Sequence, residues 1–415
     1  MSTLSIEGAL ERLLLPEPGL AYLRHDRAGE LRLEPGSLAC ADGLIVALED
    51  DVAAEVRIDA SGCAVVPGFV DAHTHLPFAG WRAEEYEQKL RGVPYEEIAR
   101  GGGGIASSAR AFAEATDEQV LAQARALAAE LLRHGTTTFE CKSGYALSIE
   151  GERRQLGLAA ALGREVDQAT RVTALVAHAV PPGTTAAAWL DEVEAALPEL
   201  LAAAPVTALD AFVESVAFSN DDLRRVGGWA RAAGVALRAH VEQLATHRSV
   251  PVALELGARS VDHLACLHPD DVAPLAASEC AAVLLPGAEL LGAEQTAPAR
   301  ALADAGAICV LATDLNPGTS PISSLPLIIG LAARRYGWTA KEAFLAVTLN
   351  AAWLLDLPDR GALEPGRRAD LLLLDGPIAH TPYRLGRNPV EVVVVGGAVR
   401  HVRPGSEWRL QGSHA

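Results

Sequence analysis

Between residues 64 and 313 the chain repeats one pattern eight times, a short apolar run followed by a longer segment of helical period. The runs are Ala64–Asp71, Thr136–Cys141, Thr173–His178, Leu209–Ser215, Ala236–His240, Ser260–His263, Ala281–Pro286 and Ala307–Thr313. Runs this short and this apolar describe strands buried on both faces, the habit of a parallel sheet covered by helices. The segments between them, such as Asp117–Arg133 and Ala187–Ala204, are rich in Ala, Leu, Glu and Arg. Thr116 and Asp117 offer an N-cap to the first of these, and Gly135 a stop. Eight such units over about 290 residues predict an α/β fold, a (β/α)8 TIM barrel, whose usual size is about 250 residues plus insertions. An open doubly wound sheet would want Gly-x-Gly-x-x-Gly after the first strand. None is there, and the Gly run at 101–104 follows a helical segment and reads as a loop.

Both ends of the chain have a different texture. An Asp42-Gly43 turn, Leu44–Leu48 and Glu55–Ile58 near the start, and Ala369–Asp375 and Val392–Val395 near the end, are short β-rich runs bounded by turn residues. Neither end is large enough to fold alone. The expected organisation is therefore a small β-sandwich made from both termini, residues 1–66 plus 364–415, beside a barrel over 67–363.

Composition narrows the partners. With 415 residues, half of them hydrophobic and 21% charged, a large core is available. A net charge of −18 argues against a nucleic-acid backbone or an anionic membrane surface. Six cysteines (Cys40, Cys63, Cys141, Cys266, Cys280, Cys309) are scattered without a CxxC pair and read as buried thiols. No basic segment followed by an apolar run opens the chain, and no uninterrupted apolar stretch reaches the roughly 18 residues of a membrane span. The expectation is a cytoplasmic protein acting on a small molecule.

The polar residues inside this apolar pattern collect at the ends of the runs, where a barrel keeps its catalytic groups. The first run leads into His73-Thr74-His75, and two histidines at i and i+2 of a strand point to one face, a ready metal pair. Alone, such a pair says little. However, the third run ends at His178, the fifth at His240, the sixth at His263, and Asp314 follows the eighth. Five of the 12 histidines thus sit at expected strand termini, a placement scattered core histidines would not adopt. A carboxylate at Asp314 can complete three imidazoles around a divalent metal and take a proton from the water it acidifies.

At these residues the chain resembles the imidazolonepropionase family of the amidohydrolase superfamily. The resemblance runs through Pro67–His75, Tyr95–Ala99, Lys142-Ser143-Gly144-Tyr145, His178-Ala179-Val180-Pro181, Val261–Leu264, Ala282–Ala288, Thr313–Pro321, Thr348–Ala352, Leu363–Gly366 and Pro382–Arg384. It implies opening of 4-imidazolone-5-propanoate to N-formimino-L-glutamate in histidine breakdown, with one zinc or iron ion on His73, His75, His240 and Asp314. It further implies that His263 acts beside the reacting carbonyl, that Arg82 grips the propanoate, and that Tyr95, Tyr145 and His178 contact the ring. Gln243 would be a hydrogen-bonding catalytic and substrate contact, and Asn316, Gly318 and Thr319 would hold the amino-acid end. A homodimer is the assembly the family implies.

Some positions depart from the family pattern: Trp81 precedes Arg82 where an Asp is usual, with Pro77 and Ala79 in the same loop, Val213 replaces a frequent Cys, and Gly287–Leu291 lacks an aromatic pair. Gln243, three residues after His240, cannot carry a proton, which disfavours the superfamily's aromatic deaminases. Glu242 beside it leaves deamination, or hydrolysis of another cyclic amide, as the second reading.

Overall fold

The structure is a computed structural model, and it describes residues 3–48, 54–93, 102–292 and 295–412. Among these, eight parallel strands form one sheet in sequential order: β6 (Phe69–Asp71), β7 (Thr136–Lys142), β8 (Ala169–Ala177), β9 (Val206–Val213), β10 (Ala236–Val241), β11 (Ser260–His263), β12 (Ala281–Leu284) and β13 (Ile308–Leu311). A single sheet of eight parallel strands joined by helices is the expected (β/α)8 barrel. Its first and last strands meet just beyond their C-terminal ends, through a parallel bridge between Thr74 and Leu315. There the Asp314 N–H donates to the His73 carbonyl at 3.0 Å, and the His75 N–H to the Leu315 carbonyl at 2.9 Å.

Period-two alternation sorts each strand into two faces. Phe139 and Cys141, Leu209, Ala211 and Val213, Leu237, Ala239 and Val241, and Val261 join one core with helix residues such as Leu127, Leu156, Val193 and Val226. The intervening positions point inward and are the unusual ones: Glu140 and Lys142, Asp210, Arg238 and His240, Ser260 and Asp262. The helices start as their sequences ask. Thr116 caps Asp117–Arg133 in a reciprocal box with Gln119, and Ser219 with Asp222 and Thr339 with Glu342 repeat the device. Each such cap contributes about 0.5–2 kcal/mol.

The termini form a second sheet from β1 (Thr3–Leu14), β2 (Arg32–Ala41), β3 (Leu44–Ala47), β4 (Val56–Asp59), β5 (Cys63–Pro67), β14 (Leu371–Asp375), β15 (Val390–Val395), β16 (Ala398–Val402) and β17 (Leu410–Gly412). Its two ends interleave: β14 pairs with β5, and β17 with β4. The first half of β1 lies beside β4 and its second half beside β5, so one strand serves both layers around a core of its own. The single run expected over Ala64–Asp71 is in fact two strands. Residues 63–67 belong to the terminal sheet and 69–71 to the barrel, and the change falls at Gly68, whose N–H reaches Asp370 while that of Phe69 reaches Gly135. An unbroken apolar run conceals such a transfer, because both sheets bury both of its faces.

Gly135 joins helix to β7 with φ +91°, and a Cβ there would lie 2.7 Å from Leu372 and 3.0 Å from Phe69. Gly135→Ala should therefore combine left-handed backbone strain of about 1–2 kcal/mol with overpacking of about 1–3 kcal/mol. The urea midpoint should fall accordingly, and an unchanged midpoint would contradict this packing.

Candidate metal centre

The strand ends bring His73, His75, His240 and Asp314 together in the barrel mouth, all buried. His73 and His75 follow β6 on one face, and their ring centroids lie 5.3 Å apart. His240, inward on β10, is 4.6 Å from His73 by the same measure. Asp314 Oδ1 lies 3.4 Å from His73 Nε2 and 3.3 Å from His75 Nε2. The three histidines each offer a nitrogen within 4.8 Å of the others. Among the described residues, His73 Nε2, His240 Nε2 and Asp314 Oδ1 are buried and have no hydrogen-bond partner. Unpartnered buried polar atoms are costly, about 1–3 kcal/mol each, so their convergence needs an occupant. Three imidazoles and one carboxylate are a donor set that fits a single divalent ion.

The opposite ring nitrogens explain the orientation. His73 Nδ1 lies 2.7 Å from Asp262 Oδ2, and His240 Nδ1 lies 3.1 Å from Asp210 Oδ1. A carboxylate on Nδ1 selects the Nδ1–H tautomer and turns the Nε2 lone pair outward. Burial pushes His73 and His75 well below the usual imidazole range, so both are neutral and able to ligate. Burial would raise Asp210 and Asp262, but His240 and Lys142 outweigh it for the first, and Arg238 and Lys142 for the second. Both carboxyls end below their usual range and stay ionised.

Beneath the histidines lies a charged layer that the sequence alone does not assemble. Lys142 Nζ is 2.6 Å from Asp210 and 3.2 Å from Glu140. Arg238 reaches Glu140 at 2.5 Å, Asp262 at 2.7 Å and the Ala72 carbonyl at 2.9 Å. A signal was present: charged residues within otherwise apolar runs, in phase with the strand-end histidines, as Arg238 is with His240.

Around the centre, His263 closes β11 with its ring 5.3 Å from His240, and burial lowers its pKa to about 3, leaving it neutral. His178 stacks on His75, with centroids 5.5 Å apart and planes 14° apart, and its Nδ1 lies 2.9 Å from the Gly144 carbonyl. Tyr145 stands edge-on to both rings, 5.3 Å from His75 and 5.0 Å from His178. Asp314 has its carboxyl raised, chiefly by burial.

Arg82 lies at the same mouth, donating its backbone N–H to the Pro317 carbonyl at 2.8 Å. Its guanidinium covers Gly318 so closely that a Cβ there would fall 1.6 Å from Nη2, while its buried Nε faces Glu85 Oε2 at 3.9 Å, beyond hydrogen-bond distance. Asn316 spends its side chain within its own loop: Oδ1 accepts the N–H groups of Gly318 and Thr319 at 2.8 and 2.7 Å, and Nδ2 donates to the Asp314 carbonyl at 2.7 Å. Trp81 packs edge-on against Phe78, with centroids 5.1 Å apart. Gln243 is half-buried on the loop after β10, where its N–H donates to Glu214 Oε1 at 3.0 Å. Glu242 beside it points elsewhere, its carboxylate accepting the N–H groups of His247 and Ser249 at 2.9 and 2.7 Å. Tyr95 lies outside the described residues.

A protein with this centre should purify with about one divalent ion per chain. Stripping it with a chelator should lower stability by about 2.7 kcal/mol relative to protein held at one hundred times the dissociation constant. A melting temperature indifferent to chelation, with no metal found by elemental analysis, would sink the assignment.

Comparison with known proteins agrees with the geometry. The amidohydrolase family model matches residues 64–400. An imidazolonepropionase of Rubrobacter xylanophilus is 45% identical over 347 residues, covering 82% of this chain and 83% of the relative. An imidazolonepropionase of Paracoccus denitrificans is 41% identical over 397 residues, covering 92% of this chain and 99% of the relative. Among solved structures, an adenosine deaminase from Xanthomonas campestris with bound zinc superposes with a TM-score of 0.69 at 20% identity, covering 97% of this chain and 93% of that one, a likeness of fold. With a family model over most of its length and relatives at this identity, the chain belongs to the amidohydrolase family and, within it, to the imidazolonepropionases.

Proposed function

We propose that this chain hydrolyses the ring amide of 4-imidazolone-5-propanoate to N-formimino-L-glutamate, the step of histidine breakdown that the names of its relatives describe. The observation that carries the reading is the set of unpartnered buried atoms on His73, His240 and Asp314, converging beside the neutral ring of His263. His73, His75, His240 and Asp314 would hold a divalent ion, zinc or iron, which when bound would supply an acidified water and a Lewis acid for the ring carbonyl.

The chain's own groups do the rest. Asp314, its carboxyl raised by burial, accepts the proton that the attacking water gives up. His263, neutral, donates to the carbonyl oxygen as charge develops there. The carbonyl carbon gains the water oxygen, the carbon–nitrogen ring bond breaks, and the departing nitrogen takes up the proton. The product then carries a new carboxylate and a formimino group. Arg82 forks the propanoate, since a guanidinium can donate two parallel hydrogen bonds to a carboxylate. Tyr145 and His178 line the ring, Gln243 supplies a hydrogen bond, and Tyr95 joins the pocket. The Asn316 side chain and the N–H groups of Gly318 and Thr319 satisfy one another, so Asn316, Gly318 and Thr319 serve the amino-acid end by shaping the pocket wall there. The setting we assign is a homodimer in the cytoplasm.

Deamination is the weaker reading for a specific reason. The Glu242 carboxylate is occupied by two backbone N–H groups and is not free to shuttle protons to departing ammonia.

Loss of the substrate's ultraviolet absorbance tests the proposal. Asp314→Ala should lower kcat by about 10²–10⁴-fold, the usual worth of a positioned acid or base. Arg82→Met should act mainly on KM, raising it by about 10–100-fold, as expected for a lost charge-assisted hydrogen bond of about 1.5–3 kcal/mol. No turnover by metal-replete parent protein would overturn the substrate, and an active Asp314→Ala variant would overturn the mechanism.

A further inference from the structure

Lys142 is one of three lysines in the chain, and it is fully buried inside the barrel. The mechanism above does not use it. Its ammonium makes its shortest contact, 2.6 Å, with Asp210 Oδ2, while the other oxygen of that carboxylate lies 3.1 Å from His240 Nδ1. Among the described residues no other side chain holds Asp210 by a hydrogen bond or ion pair. Asp262, which orients His73, is built differently. Arg238 at 2.7 Å and Ser260 at 2.6 Å fix it, and Lys142 stands 3.7 Å away. The two ring-orienting carboxylates therefore differ in what anchors them.

We propose that Lys142 is a positioning residue for the metal centre, setting the ring of His240 through Asp210. The proposal rests on the metal reading given above. Asp210 with a free oxygen could swing within the barrel or turn away from His240, and the ammonium removes that freedom. A point charge suits the place better than a guanidinium fork, because Glu140, Asp210 and Asp262 approach it from different strands. Three carboxylates and two cations, Lys142 and Arg238, leave one net negative charge in this layer. A divalent ion held by His73, His75, His240 and Asp314 would offset that charge.

The test needs no substrate. Metal-free protein is titrated with zinc in competition with a chromophoric chelator, for the parent, Lys142→Met, Asp210→Asn and the double variant. Lys142→Met is expected to bind zinc about 10–100-fold more weakly, the usual effect of losing an outer partner of a metal ligand. Because Lys142 acts through Asp210, the double variant should bind as Asp210→Asn does, within about 3-fold, rather than multiply the two losses. The visible spectrum of the cobalt-substituted Lys142→Met protein should also shift towards that of Asp210→Asn. Parent-like affinity in Lys142→Met, or a double variant showing the product of both losses, overturns the proposal. If Lys142→Met alone does not fold, the double variant, which removes both members of the ion pair, is compared with Asp210→Asn in its place: equal affinities support the proposal and a further loss overturns it. A parent that binds no zinc would instead overturn the metal reading itself.

Discussion

The structure turns on the seam where the barrel closes. The bonds that join the ends of β6 and β13 run from Asp314 to His73 and from His75 to Leu315, so the backbone that closes the fold carries three of the four proposed ligands. Asp71 reinforces the seam from below: its carboxylate accepts the N–H of Thr313 at 3.0 Å and its hydroxyl at 2.6 Å. Burial lifts the Asp71 carboxyl to about 7 despite those donors. Any loosening of closure would separate His73 and His75 from Asp314, which makes the site an outcome of completing the sheet.

A second constraint comes from charge. A barrel interior is usually filled with branched apolar side chains, yet here Glu140, Lys142, Asp210, Arg238 and Asp262 occupy it. Buried charges persist only when paired, and removing one partner of a buried pair costs about 3–5 kcal/mol. The layer therefore makes a rigid floor for the histidines, with lateral ties across β7, β9, β10 and β11. The backbone shows matching tension at the rim. His263 (φ +82°), Asp314 (φ +54°) and Glu242 (φ +54°) all take left-handed conformations uncommon for such residues. Strain of about 1–3 kcal/mol at each persists where surrounding structure over-determines it, and here it lies immediately beside the proposed chemistry.

Much of this was legible in one dimension. The apolar runs ended within two residues of the strand ends, and His73, His75, His178, His240, His263 and Asp314 could be read as convergent because a parallel barrel gathers its C-terminal strand ends at one rim. What could not be read was lateral pairing. Asp210 and Asp262 lie in different apolar runs, and only the folded barrel reveals that the first meets His240 on the neighbouring strand β10 while the second reaches across to His73 beyond β6. The transfer between sheets at Gly68 was hidden because apolar pattern reports burial and not which sheet buries a residue. The resemblance alone pointed to Arg82 as a substrate contact; its place at the mouth shows only once the 314–320 loop is seen folded against its guanidinium. The direction of Glu242 followed from two backbone donors five and seven residues downstream, which helical or strand periodicity does not describe.

Everything proposed for the chemistry depends on four side chains at the closing seam holding one divalent ion. Anomalous diffraction from crystals of the zinc-loaded protein, collected either side of the zinc absorption edge, would locate that ion. A single strong peak per chain is expected, about 2.0–2.2 Å from His73 Nε2, His240 Nε2, a nitrogen of His75 and an oxygen of Asp314. Two peaks about 3.5–4 Å apart, as in two-metal sites, or a peak elsewhere with these four side chains unliganded, would refute a mononuclear centre at the seam.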